Sequence, residues 1–271
     1  MSSCKVTALY SYPVKSCRGT RVDEARLTPG GLEGDRQLLV VHEGKASSQI
    51  RLPRLATVEP RRIDASTIEL HLDDGTRLLH EVTDQGALST VEYYGDTISV
   101  IDQGDEIARL LSDAVGKEVR AACLENPFPR SLPLEEFALL DGRDQSRFVD
   151  AAPILLTNVA SLTDLNSRLD EPVPMDRFRA NVVVEGLHAY GEDEVTSLEG
   201  DGFRLLRATY CERCAITSTD QKTGERSKEP LATLASYRRR PNGYAGGVLF
   251  GAYMAVEGAA KIRVGDELSA T

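Results

Sequence analysis

Phe203-Arg-Leu-Leu-Arg-Ala-Thr-Tyr-Cys-Glu-Arg-Cys-Ala-Ile-Thr-Ser-Thr-Asp220 runs a strand-like segment into two cysteines three residues apart. Phe203–Thr209 is apolar and alternating enough to read as a strand. A thioredoxin-type C-x-x-C would open a helix inside a βαβ unit. The polar run Thr217-Ser218-Thr219-Asp220 supports no such helix, which argues against a doubly wound parallel sheet here. A zinc site would need two further ligands at suitable spacing. The chain has four histidines and no second C-x-x-C. What remains is a thiol beside Arg207 and Arg213. A nearby cation stabilises a thiolate, and the thiolate is both nucleophile and soft metal ligand. Two partly buried cysteines without chemistry are the plain alternative.

Working outward, the second half mixes strands and short helices. Pro153–Leu156 reads as a buried strand. Asn158 can cap a helix through Leu169, with Leu162, Leu165 and Leu169 on one face. Asn181–Glu185, Val248–Val256 and Lys261–Val264 read as strands, with a turn at Gly265-Asp266. Pro230–Arg238 has helical spacing and a proline suited to a first turn. In the first half, Val6–Val14, Gln37–His42 and Thr67–Leu72 read as strands joined by Pro, Gly and Asp turns. Asp105–Val115 places Ile107, Leu110, Leu111, Ala114 and Val115 at i, i+3, i+4, i+7 and i+8, and Gly116 ends it, which predicts an amphipathic helix. A Pro- and Arg-rich loop from Glu125 to about Gln145 marks a domain junction or an active-site loop. Many strands with few helices, not alternating regularly, predict a β-rich α+β fold.

The 271 residues suffice for one large or two small domains. Acidic residues outnumber basic ones 42 to 32, a net charge of −10. That argues against a broad nucleic-acid or anionic-membrane face. No apolar stretch is long enough to span a membrane. The start, MSSCKVTALYSYPVKS, lacks the pattern of a signal peptide. With five cysteines, an odd count, this predicts free thiols and a cytoplasmic protein.

Short cationic segments recur at strand ends: Pro13-Val14-Lys15-Ser16-Cys17, Gly34-Asp35-Arg36 and Asp176-Arg177-Phe178-Arg179-Ala180-Asn181. Guanidinium forks, an ammonium and a hydroxyl can converge on one anion such as a phosphate. The alternative is surface charge paired with the abundant Asp and Glu. Gly30-Gly31-Leu32-Glu33-Gly34 does not lead from a strand into a helix, so it is no dinucleotide fingerprint. There is no G-x-S-x-G elbow.

Taken in order, these segments resemble the MOSC-domain family. Tyr12-Pro-Val-Lys-Ser-Cys17 and Gly34-Asp-Arg36 resemble the N-terminal β-barrel domain. Asp176–Asn181, Cys211–Asp220, Lys228-Glu-Pro-Leu231, Leu249-Phe-Gly251 and Val264-Gly-Asp266 resemble the MOSC domain. The resemblance covers nearly the whole chain and implies a β-barrel-like domain over 1–120 and a MOSC β-barrel over 121–271. It implies the molybdenum cofactor (Mo-molybdopterin), with Cys214 as metal ligand and catalytic residue. It implies cofactor contacts from Lys15, Ser16, Arg36, Thr157, Arg179, Asn181 and Arg213. The implied reaction reduces N-hydroxylated small molecules, as in the YcbX-type and mitochondrial amidoxime-reducing members. Gln49-Ile-Arg-Leu-Pro53 departs from the family's usual Arg-Gln-x-Pro. No ferredoxin-like iron–sulfur domain follows, so a separate electron-transfer protein is expected. The targeting and membrane segment of the mitochondrial type is also missing, so no membrane partner is expected. Asp220, Tyr210 and Glu212 are all possible proton donors. The rival reading is a sulfur carrier or cofactor-delivery protein with a persulfide on Cys214, and a third is an interaction module with a structural C-x-x-C.

Overall fold

Apolar residues along Ser2–Ser11 decide where the first barrel begins: Cys4, Val6 and Leu9 enter one core, while Ala8, past a register shift, packs in another. The computed structural model describes residues 2–125, 148, 151–243 and 246–271. The expected junction from Glu125 to about Gln145 lies outside them, apart from Glu125.

Seven strands close a ring, with neighbours in the order Val182–Glu185, Ile154–Asn158, Leu249–Gly258, Phe203–Glu212, Ser197–Gly200, Glu267–Ala270 and Ser2–Ser11. Ser2–Ser11 pairs back with Val182–Glu185, and Thr20–Val22 hangs from its other side. The only parallel pair in this ring joins Ile154–Asn158 to Val182–Glu185. Ile154, Leu156, Val182, Val184, Leu205, Met254 and Leu268 fill the interior with the first strand's side chains. The first strand therefore belongs to a barrel made mostly by the second half.

A second, five-stranded barrel joins Leu88–Tyr93, Asp96–Asp102, Arg120–Leu124, Leu38–His42 and Lys45–Ser47. The Asp105–Val115 helix lies against it and buries Ile107, Leu111 and Val115 with Leu55, Ile68 and Leu70. Gly116, at φ 69, ends the helix in the left-handed region that glycine adopts without cost. Leu111 is fully buried, so truncation to alanine would cost about 2–5 kcal/mol. The fold is thus the β-rich α+β class expected, with two closed barrels.

Of the boundaries that differ from the sequence reading, two have a plain local cause. The first strand stops at Ser11 rather than Val14, because Tyr12 N–H is taken by the Asp35 carboxylate and Pro13 has no N–H to give. The helix capped by Asn158 ends at Asn166 rather than Leu169. There the Asn166 side chain bonds both the N–H and the C=O of Val173, drawing the chain away.

Candidate functional site

The turn after the first strand is held by backbone bonds that sequence reading could not supply. Lys15 N–H donates to Leu38 O at 2.7 Å, Leu38 N–H to Pro13 O at 3.0 Å, and Arg36 N–H to Tyr12 O at 2.8 Å. Asp35 knits the two halves together. Its carboxylate accepts from Tyr12 N–H at 2.6 Å and from Asn181 Nδ2 at 3.1 Å. Asn181 Oδ1 in turn accepts from Leu155 N–H at 3.2 Å. Burial pushes the Asp35 carboxyl upward, while Arg36 and the bonds from Tyr12 and Asn181 pull the other way.

Ser16, Arg36 and Arg179 have φ of 69°, 52° and 57°. Non-glycine residues held there cost of order 1 kcal/mol or more each, and such strain clusters at ligand clamps. Two register shifts between Phe203–Glu212 and Leu249–Gly258 lie beside the cysteines. At one of them Gly251 has φ 83°, and a Cβ there would lie 2.7 Å from Leu156 O. Such bulges re-aim strand ends toward active sites.

These devices bring Lys15, Ser16, Arg36, Arg179, Asn181, Arg213 and Cys214 around one cavity, with Leu155, Phe178, Glu212 and Tyr253 completing most of its wall. Among the described residues, four cationic side chains and one carboxylate, that of Glu212, line it. Lys15 is almost fully buried, with Nζ donating to Phe148 O at 3.0 Å. Arg179 donates from Nη1 to Cys17 O at 2.6 Å. Arg213 donates from Nη1 to Cys211 Sγ and from Nη2 to Phe178 O at 2.7 Å. Two buried donors on this wall, Arg36 Nη1 and Arg213 Nε, have no hydrogen-bond partner. The two cysteines part company: Cys211 is buried and burial pushes its thiol up, whereas Cys214 is exposed at the cavity.

Thr157 does not line the cavity; it is fully buried in the Ile154–Asn158 strand, its hydroxyl without a partner. Of the three possible proton donors, Glu212 lines the cavity, while Asp220 and Tyr210 do not. Asp220 instead accepts from Arg177 Nη2 at 2.8 Å. The departing Gln49 segment contributes indirectly. Gln49 Nε2 donates to Ser16 O at 2.8 Å and to Gln221 Oε1 at 2.9 Å, and Gln221 Oε1 also receives Arg179 Nη1. Leu155, Phe178 and Tyr253 were not found from sequence. Tyr253 stands at a register shift and Phe178 in the turn Met175–Phe178, so no periodicity marks them, while Leu155 reaches the wall as the outward residue between Ile154 and Leu156. Among the described residues, no three His, Cys, Asp or Glu cluster as a metal cage.

A MOSC domain matches residues 143–269, and a MOSC N-terminal beta barrel domain matches residues 3–118. The chain belongs to the MOSC-domain family and carries that N-terminal domain. It is 34% identical to the human protein "Mitochondrial amidoxime-reducing component 1" over 96% of this chain and 81% of that protein. It is 32% identical to the Bos taurus "Mitochondrial amidoxime reducing component 2" over 96% and 81%. It is also 32% identical to "Molybdenum cofactor sulfurase" of rice, Oryza sativa subsp. japonica, over 93% of this chain but 32% of that protein. These names correct the cytoplasmic placement read from the sequence. Relatives matched over four fifths of their length are called mitochondrial, so free thiols and an opening without a leader pattern do not assign a compartment. Among the described residues, no helix is long and apolar enough to cross a membrane.

Proposed function

We propose that the protein is a molybdenum-cofactor-dependent oxidoreductase that reduces N-hydroxylated small molecules with electrons from a separate protein. The observation that carries this reading is the gathering of Lys15, Arg36, Arg179 and Arg213 around an exposed Cys214. The residues suit an anionic, thiol-accepting group. Arg36 Nη1 and Arg213 Nε are buried donors awaiting an acceptor, and the thiol beside them is accessible. When bound, the cofactor supplies two-electron chemistry that removes the N-hydroxyl oxygen as water.

This chain's part is to hold and to protonate. Cys214 would give the metal its protein ligand. Lys15, Ser16, Arg36, Arg179 and Arg213 would hold the anionic periphery, and Asn181 would fix the spacing of the halves. The reduction consumes two protons. Glu212, whose Oε2 accepts from Gly247 N–H at 2.9 Å, is the carboxyl placed to pass one on. Thr157 is given no part, since it does not line the cavity. The working units would be residues 1–120 and 121–271, with the Ser2–Ser11 strand lent to the second barrel.

The sulfur-carrier alternative draws on the same exposed Cys214 and on the similarity to the rice sulfurase. Elemental analysis of protein made in a host that synthesises the cofactor separates the two. Molybdenum near one per chain, with amidoxime reduction by an artificial reductant, supports the enzyme. Labile sulfane sulfur without molybdenum supports the carrier.

A further inference from the structure

Gln49-Ile-Arg-Leu-Pro53, from the first half of the chain, meets the loop that follows Asp220, from the second half, along a seam. Arg226 donates from Nη2 to Ile50 O at 2.6 Å and also to Gln49 O. Arg18 donates from Nε to Ala56 O at 3.1 Å and to Gln221 O at 2.7 Å. Gly224 packs so closely that a Cβ there would stand 3.2 Å from Arg54 Cα. Beneath the seam, the buried Gln49 and Gln221 side chains exchange two amide bonds, at 2.9 and 3.0 Å. Gln49 also donates to Ser16 O, and Gln221 receives Arg179. The amide pair thus belongs to both walls of the seam and touches two residues of the cavity.

Residues 48–54 and 222–228 carry five basic side chains, Arg51, Arg54, Lys222, Arg226 and Lys228, against one acidic, Glu225, and all six are exposed. Among the described residues, acids at the edges are already engaged. Asp73 accepts from Arg18 at 3.2 Å, Asp220 from Arg177 at 2.8 Å, and Glu229 from Thr233 N–H at 3.0 Å. Beyond Arg226, a groove shared with Asp170 and Glu171 bounds the basic patch. Ile50, 47% exposed, adds a large apolar side chain to it. A chain of net charge −10 repels an acidic protein unless a positive face is turned toward it. Charges of this kind set the rate and orientation of encounter, and an apolar contact among them is what an interface buries.

We propose that this seam is the docking surface for an acidic electron-transfer protein, seated over the amide pair beside the cavity. The inference rests on the oxidoreductase reading above, which needs electrons from outside. It adds where the donor sits and which charge its face carries. An anionic lipid surface would be drawn by the same cations. Being extended, it would also meet the carboxylates of Asp73, Asp170 and Glu171 at the margins, whereas a protein face of matching size need not.

The test uses the full chain from a cofactor-making host and, as probe, an acidic plant-type [2Fe–2S] ferredoxin, with binding read by calorimetry. Arg51 and Lys222 are exposed and outside the cavity wall. At low salt, the double variant Arg51→Glu/Lys222→Glu should bind ferredoxin more weakly by on the order of tenfold. Amidoxime reduction driven by reduced ferredoxin should fall with it, while reduction driven by dithionite stays as in the native chain. At about 0.5 M salt the gap between native and variant should nearly close. Ile50→Ser should weaken binding at both salt levels. Equal binding by native and reversed chains overturns the proposal, and so does a native chain that binds no ferredoxin. Tighter binding to phosphatidylserine vesicles than to ferredoxin also overturns it and gives the patch to a lipid surface. If dithionite drives no reduction by the native chain, the oxidoreductase reading ends, while the binding series still judges the seam.

Discussion

Arg213 donates from Nη1 to the Cys211 sulfur at 2.8 Å, so the first cysteine of the C-x-x-C anchors the arginine that stands before the second. Cys211 is fully buried, and burial keeps its thiol protonated. Cys214 is exposed and opens the turn Ala215–Ser218. Cys214→Ser should therefore abolish molybdenum retention and reductase activity. Cys211→Ser leaves an acceptor for Arg213 and should keep a substantial part of both. Metal analysis beside an amidoxime reduction assay reads the pair, and the reverse pattern would exchange their roles.

Electrons should have to come from outside. The cysteines other than the C-x-x-C pair, Cys4, Cys17 and Cys123, are isolated in sequence, and no Rossmann fingerprint is present. The pure chain should give no NADH- or NADPH-driven reduction. A chemical reductant or an added electron-transfer protein should restore it. Robust turnover with NADH alone would mean a redox relay that the sequence does not carry.

Glu192 gives a prediction about pH. It is fully buried, and burial pushes its carboxyl up to about 7, against an ordinary 4.5, although Ser161 donates to it at 2.7 Å. Between those two values the folded chain holds a proton that the unfolded chain has lost. Stability is then fullest below pH 4.5 from this group and declines as pH rises through 7, by up to about 3 kcal/mol. Glu192→Gln should raise the thermal midpoint at pH 8 and change it little at pH 5. A midpoint gain of equal size at both pH values would contradict the assignment.

Gly251→Ala should strain the strand beside the cysteines. The backbone there has φ 83°, and the new methyl would meet Leu156 O at 2.7 Å. A loss of about 2–3 kcal/mol is expected in denaturant unfolding. Cofactor retention should fall with it, because the register shift at this glycine aims the end of Phe203–Glu212.

The Asp105–Val115 helix was legible to the residue, because its apolar spacing and terminal glycine are both local. The candidate site was legible as residue types but not as a shape. Lys15, Arg36, Arg179 and Arg213 stood out by charge at strand ends. Nothing in a serine or an arginine announces a left-handed backbone, yet Ser16, Arg36 and Arg179 all take one. Tyr12 looked like the end of a strand; its link to Asp35 becomes visible only once residues 23 apart are bonded. Thr157 stands apart from these. Its hydroxyl suited a contact by resemblance, but it is buried outside the cavity wall.

The first strand has a consequence for how the molecule is made. Ser2–Ser11 leaves the ribosome early, but its barrel neighbours are Val182–Glu185 and Glu267–Ala270. At ordinary elongation rates it waits on the order of tens of seconds for the second of them. Until then Cys4, Val6 and Leu9 have no closed core to enter. The five-stranded barrel, whose strands all lie between Leu38 and Leu124, has its whole sequence available long before. Closure of the barrel that carries the binding cavity thus waits for Glu267–Ala270, well after the five-stranded barrel has all of its strands.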